Sequence, residues 1–486
     1  MDTEEKGETW SPTEEESKEQ AIPSREGYVA QPKWRPTQNL VKLVASVCVA
    51  LVVYFLTGTL SWQLRMALVL LVLAAGLWVT ESMALGATSL LIALLQPLLG
   101  IRGFSDALAP FFDPVVVLLL GGFLLAIAVD KHDLDEKLGL AILQRLGTKP
   151  RRVVLGLMLT TAFLSCWISN TASAALMMTV AIPVANRVTD PRGNLQKIMV
   201  LGVAYAASLG GFMTLIGSPP NALAAAFLAG TSRKISFLGW SLYGLPLALV
   251  VIFAAWGFLF IRFPTKVTEI PIVEPASRDF TGWQKGTFTL FLVAVVLWLT
   301  ETLHPLSSSM VSLAVAVALF ATGLLKREDI SRVDWNTLLL IGGGLSLGAA
   351  LQESGLAAIL TDYVLALQPL VGFVGMVVLL SVGTLVFSMV ASNTVSAALF
   401  MPIAINLAVA VGGADTPLLV VFTVLVAMSS SIDFMLPMGT PPNAIAYSTE
   451  RVSMRDMITT GFVLNLLSLF ITLLLAFYVW PWIPII

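Results

Sequence analysis

Gly217-Ser218-Pro219-Pro220-Asn221 lies inside a long apolar stretch, and Gly439-Thr440-Pro441-Pro442-Asn443 repeats it inside another. Working outward at nearly the same offset, Ser169-Asn170-Thr171 is answered by Ser392-Asn393-Thr394. Trp78-Val79-Thr80-Glu81 is answered by Trp298-Leu299-Thr300-Glu301, and Asp113 with Gly121-Gly122 by Asp334 with Gly342-Gly343. Four matched pairs in one order make the chain a duplicated unit.

Composition fixes the solvent. The 486 residues are 57% hydrophobic and only 12% charged, with a mean hydropathy of +0.87. A water-soluble globule of that composition would expose far too much apolar surface, so the chain reads as an all-α polytopic membrane protein. The net charge is −2, and the basic residues are scattered between apolar spans rather than gathered into a phosphate-binding face, which excludes nucleic acid as a partner. Cys48 and Cys166 lie in apolar runs without metal-ligand spacing and are expected to be small buried hydrophobes. The methionines, Met177, Met178 and Met401 among them, are expected to fill gaps in the core.

Residues 1–40 differ from the rest. Glu4-Glu5-Lys6, Glu14-Glu15-Glu16 and four prolines leave too little apolar surface to offset ordering entropy, which predicts a mobile cytoplasmic tail. This segment lacks the basic start and apolar core of a cleavable signal peptide, so the first span is expected to be a retained anchor. Apolar stretches of membrane-spanning length predict crossings near 41–58, 64–80, 83–100, 111–130, 195–230, 242–262, 285–303, 307–324, 335–351, 416–448 and 460–481. Two further stretches, 152–186 and 369–411, are too long for one crossing and carry Ser-Asn-Thr at their centres. They read as re-entrant hairpins with tips at membrane depth. The units are then the first span plus the first repeat over 41–262, a cytoplasmic linker over 263–284, and the second repeat over 285–486.

Charge sets the orientation. With the N-terminus cytoplasmic, most loop Lys and Arg residues, from Lys131 through Arg152 and on to Arg451 and Arg455, fall inside, and only Arg65, Arg102, Arg233 and Lys234 fall outside. The positive-inside rule therefore predicts about eleven spans and an external C-terminus in the cell (inner or plasma) membrane. Five crossings per unit, an odd number, make the repeats inverted. Residues 132–148 read as an interfacial amphipathic helix, with 353–366 as a weaker counterpart.

Inverted repeats with broken helices are the architecture of secondary transporters, and the breaks predict the site. Two consecutive prolines remove backbone donors and force an unwound stretch. Unwound carbonyls can coordinate a small cation, while half-helix N-termini offer free amides to an anion. The Ser-Asn-Thr tips add hydroxyls and amides that can donate to carboxylates or offer lone pairs to Na⁺. No Lys or Arg lies between Arg152 and Arg187, so an anion held there depends on neutral donors, helix dipoles and co-bound cations. Glu81 and Glu301 sit at span ends and are expected to cap helices, and the Gly pairs to pack helices closely. Asp433 is an acidic residue inside an apolar span, a functional candidate by default, yet its counterpart is Gly211. No catalytic residues are expected: no His/Glu or Asp pair has metal-ligand spacing, and no serine has a plausible base near it.

Together, the paired Ser-Asn-Thr tips, Thr214-Leu215-Ile216-Gly217-Ser218-Pro219-Pro220-Asn221-Ala222 and Phe434-Met435-Leu436-Pro437-Met438-Gly439-Thr440-Pro441-Pro442-Asn443-Ala444 resemble the divalent anion/sodium symporter family of dicarboxylate and citrate carriers. The resemblance runs from about residue 41 to the end. It implies a homodimer with an interfacial scaffold, a transport domain moving as a rigid elevator, and sodium-coupled import of C4-dicarboxylates such as succinate, malate and fumarate. Na⁺ is then a co-transported ion, not a catalytic cofactor. By motif, one sodium site uses Ser165, Asn170 and the backbone near Gly217, and its partner uses Ser388, Ala391, Asn393 and the backbone near Gly439. The dicarboxylate is expected between the tips, against Ser169, Asn170, Thr171, Ser392, Asn393, Thr394, Thr440 and Pro441. The repeats differ at Ser218 against Thr440 and at Ala172 against Val395, which leaves the anion open. A sodium-independent exchanger and a carrier of citrate or sulfate share the same architecture.

Overall fold

The structure, a computed structural model, describes residues 36–143, 147–270 and 280–483. Most of the expected tail, part of the 263–284 linker and residues 144–146 of the amphipathic 132–148 segment lie outside the described residues. The chain opens with α1 (Pro36–Leu56), α2 (Trp62–Thr80), α3 (Leu85–Leu98), short α4 (Phe104–Leu108), α5 (Pro114–Lys131) and amphipathic α6 (Leu134–Leu143). A hairpin of α7 (Pro150–Ser165) and α8 (Asn170–Asn186) follows, then a broken pair, α9 (Asn194–Gly210) and α10 (Pro219–Ala229), and α11 (Phe237–Arg262). The second repeat runs through α12 (Gly282–Leu299), α13 (Ser308–Ala321), α14 (Trp335–Glu353) and α15 (Leu356–Leu365). It continues with a hairpin of α16 (Gln368–Ser388) and α17 (Asn393–Gly412), a broken pair of α18 (Leu418–Ser431) and α19 (Pro441–Ser448), and α20 (Met454–Tyr478).

The sequence dictates many of these starts. Proline is the first residue of α1, α5, α7, α10 and α19, where its fixed φ suits the helix and its missing N–H costs nothing. The α1 proline begins the first span at residue 36, earlier than the apolar run alone suggests. Asp113 accepts the Val115 amide at 2.8 Å and Asp334 the Thr337 amide at 3.1 Å, so the matched aspartates of the two repeats are matched N-caps. Glu301 accepts from the Ser308 amide, the Ser308 hydroxyl and the Phe237 amide, a capping role.

Eight helical stretches among the described residues are long and apolar enough to cross a membrane. Each of the eleven expected spans is met by a helix or by a broken helix pair. Of the first hairpin, α7 has 16 residues and α8 has 17. In the second, α16 has 21 and α17 has 20, long enough by length alone to cross. α1 buries only 11% of its apolar window, and surface of that kind on one helix requires a hydrocarbon solvent. Cys48 sits on this exposed helix and is itself exposed, against the expectation of burial, while Cys166 is buried. Met177, Met178 and Met401 are fully buried in the core.

The two repeats pack reciprocally. α3 packs on α14 of the second repeat, and its counterpart α13 packs on α5 of the first. Glycines permit these approaches: a Cβ at Gly121 would collide with Ser312 of α13, and one at Gly343 with Ser89 of α3. The half-helix α10 packs against α17 and α18 of the second repeat, and α19 packs against α8 and α9 of the first. Each repeat thus sends the second half of its broken helix across to the other.

Candidate functional site

The first tip closes around one serine. Ser165, the last residue of α7, donates its hydroxyl to the Ala207 carbonyl of α9 at 2.6 Å, and the Asn170 side-chain amide lies 2.7 Å from the Ser165 hydroxyl oxygen. A hydroxyl has one proton, so with that proton on Ala207 the asparagine must present its NH₂. In that orientation Asn170 also donates to the carbonyls of Gly217 and Ala207 at 3.2 Å each. The residues expected to hold the first sodium site, Ser165, Asn170 and Gly217, are therefore in one hydrogen-bonded cluster. It borders Gly211, where a Cβ would stand within 3 Å of the Asn170 side-chain amide.

The second tip repeats the construction. Ser388 ends α16, donates to the Ser430 carbonyl of α18, and lies 2.8 Å from the Asn393 amide oxygen. The separation in sequence from serine to carbonyl is 42 residues in both repeats, and from serine to asparagine 5 in both. Ala391 is buried beside this cluster, between Ser388 and the tip. Gly439 is packed against the Asp433 carboxylate instead.

Ser169 caps α8 by accepting the Ala172 amide at 3.2 Å, and Ser392 caps α17 by accepting the Val395 amide at 3.3 Å. Thr440 caps α19 through the Asn443 amide at 3.4 Å. Each cap spends a lone pair and leaves the hydroxyl proton free to donate. Ser169 and Pro441 are exposed, Asn170, Thr171, Ser392 and Asn393 are half-buried, and Thr394 is buried. Four half-helices begin at Asn170, Pro219, Asn393 and Pro441, each with a positive dipole end at its start; the Pro-Pro starts of α10 and α19 carry no N–H at their first two positions, so free first-turn amides belong to α8 and α17. Among the described residues no hydrogen bond joins the first cluster to the second, and each is closed within its own repeat. A cavity of about 640 Å³ bounded by Arg102, Asp113, Phe227 and Gln352 touches none of the tip residues.

Sequence reasoning missed the residues that hold the breaks open. Asn221 donates to the Gly211 and Thr214 carbonyls at 2.7 Å each, and Asn443 donates to those of Asp433 and Leu436 at 3.1 and 3.0 Å. The asparagine of each Pro-Pro-Asn is the clamp of the unwound loop. The signal was present, since asparagine is the polar side chain that directly follows both proline pairs. Thr214 adds a strap in the first repeat alone, donating to the Cys166 carbonyl at 2.5 Å. Its counterpart is Leu436, which cannot. The first break, 211–218, is buried throughout, whereas the second exposes Met438 to 80%.

Comparison with known proteins identifies the family. The family model of the sodium:sulfate symporter transmembrane region matches residues 37–486. An uncharacterized transporter of Haemophilus influenzae is 33% identical over 85% of this chain and 91% of its own length. The sodium-dependent dicarboxylate transporter SdcS of Staphylococcus saprophyticus is 31% identical over 83% of this chain and 84% of its own. Among solved structures, the YdaH transporter of Alcanivorax borkumensis, described as having an unusual topology, superposes with a TM-score of 0.55 at 15% identity, covering 78% of this chain and 89% of that one. With its duplicated hairpins and clamped breaks, the chain belongs to the sodium:sulfate symporter family and is a multi-pass membrane transporter.

Proposed function

We propose that this transporter imports C4-dicarboxylates such as succinate, malate and fumarate together with Na⁺. The observation that carries the reading is the pair of matched clusters, Ser165–Asn170–Gly217 and Ser388–Asn393, built of neutral oxygens and amides at the starts of half-helices. Such a site holds a hard cation on carbonyl and amide oxygens, and holds an anion on hydroxyl protons and free helix amides. The name of the Staphylococcus relative supports both halves of the pair.

In this mechanism the sodium sites are Ser165, Asn170 and the Gly217 backbone in one repeat, and Ser388, Ala391, Asn393 and the Gly439 backbone in the other. Asn170 turns its amide oxygen to the cation, which takes over the carbonyls its NH₂ meets here. The dicarboxylate lies between the tips on Ser169, Asn170, Thr171, Ser392, Asn393, Thr394, Thr440 and Pro441. Bound Na⁺ adds positive charge and orders the loops, raising anion affinity, and the anion raises Na⁺ affinity by the same factor. The hairpins and broken helices move as an elevator against a scaffold at a homodimer interface, in inverted repeats with the N-terminus cytoplasmic and the C-terminus outside. Any net charge moved is driven by about 2.3 kcal/mol per charge per 100 mV.

Uptake of labelled succinate into proteoliposomes tests the reading. Replacing external Na⁺ by choline should abolish concentrative uptake, and Asn170→Ala and Asn393→Ala should each eliminate it in folded protein. Uptake indifferent to Na⁺ would mark a dicarboxylate exchanger. The family's name favours one second reading, a sulfate carrier; excess sulfate that displaces succinate, where citrate and malate do not, would establish it.

A further inference from the structure

The two breaks are clamped alike but differ in charge. Asp433 follows α18 at the position that Gly211 holds after α9, and the carbonyl of each accepts from the clamp asparagine ten residues on. The Asp433 side chain has no exposed surface. Neither of its carboxylate oxygens has a hydrogen-bond partner among the described residues, and no ion pair there includes it. The Met435 amide approaches without completing a hydrogen bond of good geometry. Gly439 makes room for the group, since a Cβ there would collide with the carboxylate. The amide oxygens of both clamps, Asn221 and Asn443, are also buried without a partner, so the orphaned carboxylate is what sets the second break apart.

A buried carboxylate without donors or a counter-charge is strongly unfavourable, and in a membrane protein such a group marks an ion path or a bound ion. No Lys or Arg lies in the sequence between Arg332 and Arg451. In the first repeat the equivalent space is taken by neutral groups, with Gly211 admitting the Asn170 amide. We propose that Asp433 is a direct ligand of a monovalent cation, Na⁺, at the second break, so that this site is anionic where the first is neutral. The inference rests on the sodium-coupled reading and deepens it. The second site binds Na⁺ more tightly than the first and fills without the anion, because its ligand set carries its own negative charge.

The test uses purified full-length protein. Thermal stability is titrated with NaCl against choline chloride at fixed ionic strength without anion, and succinate uptake is titrated with Na⁺ in proteoliposomes. Asp433→Asn should keep its melting temperature in choline and raise the half-saturating Na⁺ concentration about tenfold or more in both assays, a loss of one charged ligand. Asp433→Gly, which restores the residue of the first break, should do the same. A folded variant with an unmoved Na⁺ titration overturns the proposal. So does one that changes only the pH profile of uptake, which would mark a proton site. Should neither variant fold, labelling of wild-type Asp433 by dicyclohexylcarbodiimide, mapped by mass spectrometry, decides: protection by Na⁺ but not choline supports the proposal, and equal labelling refutes it. Wild-type protein that responds to Na⁺ in neither assay would instead overturn the sodium-coupled reading itself.

Discussion

Asn221 and Asn443 show how much rests on single amides. Each donates twice to carbonyls of an unwound loop, and a buried carbonyl left without its donor costs about 1–3 kcal/mol. Asn221→Leu strands two carbonyls in a fully buried break and should lower the melting temperature in detergent sharply, equivalent to about 2–5 kcal/mol. Asn443→Leu should cost less, because its bonds are longer and the loop is partly open; equal losses would contradict the asymmetry. At this scale the sequence pointed to Ser165 with Asn170 and to Ser388 with Asn393, which form the two matched clusters, because side chains repeat and can be matched. It could not reveal the Ala207 and Ser430 carbonyls they face, since a backbone oxygen is available from any residue and leaves no trace in the alphabet. Cys48 was misread for a related reason: an apolar run on a helix facing lipid looks the same as one facing the core.

Among the elements, the tips and breaks were legible because proline pairs and polar triplets in apolar sequence have few other uses. The tertiary ties were not. The end of α5 is fastened to the 3₁₀ turn Arg327–Arg332 by Lys131, 2.5 Å from Asp329, a partner almost 200 residues away that no local pattern announces. Burial pushes the Asp329 carboxyl up, but hydrogen bonds from Lys131 and the Lys326 amide, with the nearby charges of Lys131 and Arg332, outweigh it and hold the group below the usual carboxylate range. A carboxyl with a lowered folded value contributes stability that is complete above its unfolded value of about 4 and is lost as pH falls through the folded one. Asp329→Asn should therefore melt below wild type at pH 7, and the gap should close as the pH is taken toward 3. A gap that persists at the acid end would show that packing rather than charge holds the turn.

Over the whole molecule, the duplication and the count of spans followed from offset and hydropathy, while the packing partners of each helix did not. The proposed orientation can be checked directly. On a cysteine-free background, Ser105→Cys, in α4, should react with a membrane-impermeant maleimide in intact cells, and Ser331→Cys, in the 3₁₀ turn, only after permeabilisation. The reverse pattern would invert the topology. The reciprocal placement of α10 and α19 also bears on biogenesis. A ribosome that has released residue 229 has made a helix whose seat on α17 and α18 does not yet exist, and that seat is complete only some two hundred residues later. During that interval the face of α10 that will meet α17 and α18 has nothing to pack against, so the first half cannot complete its packing until the second is made.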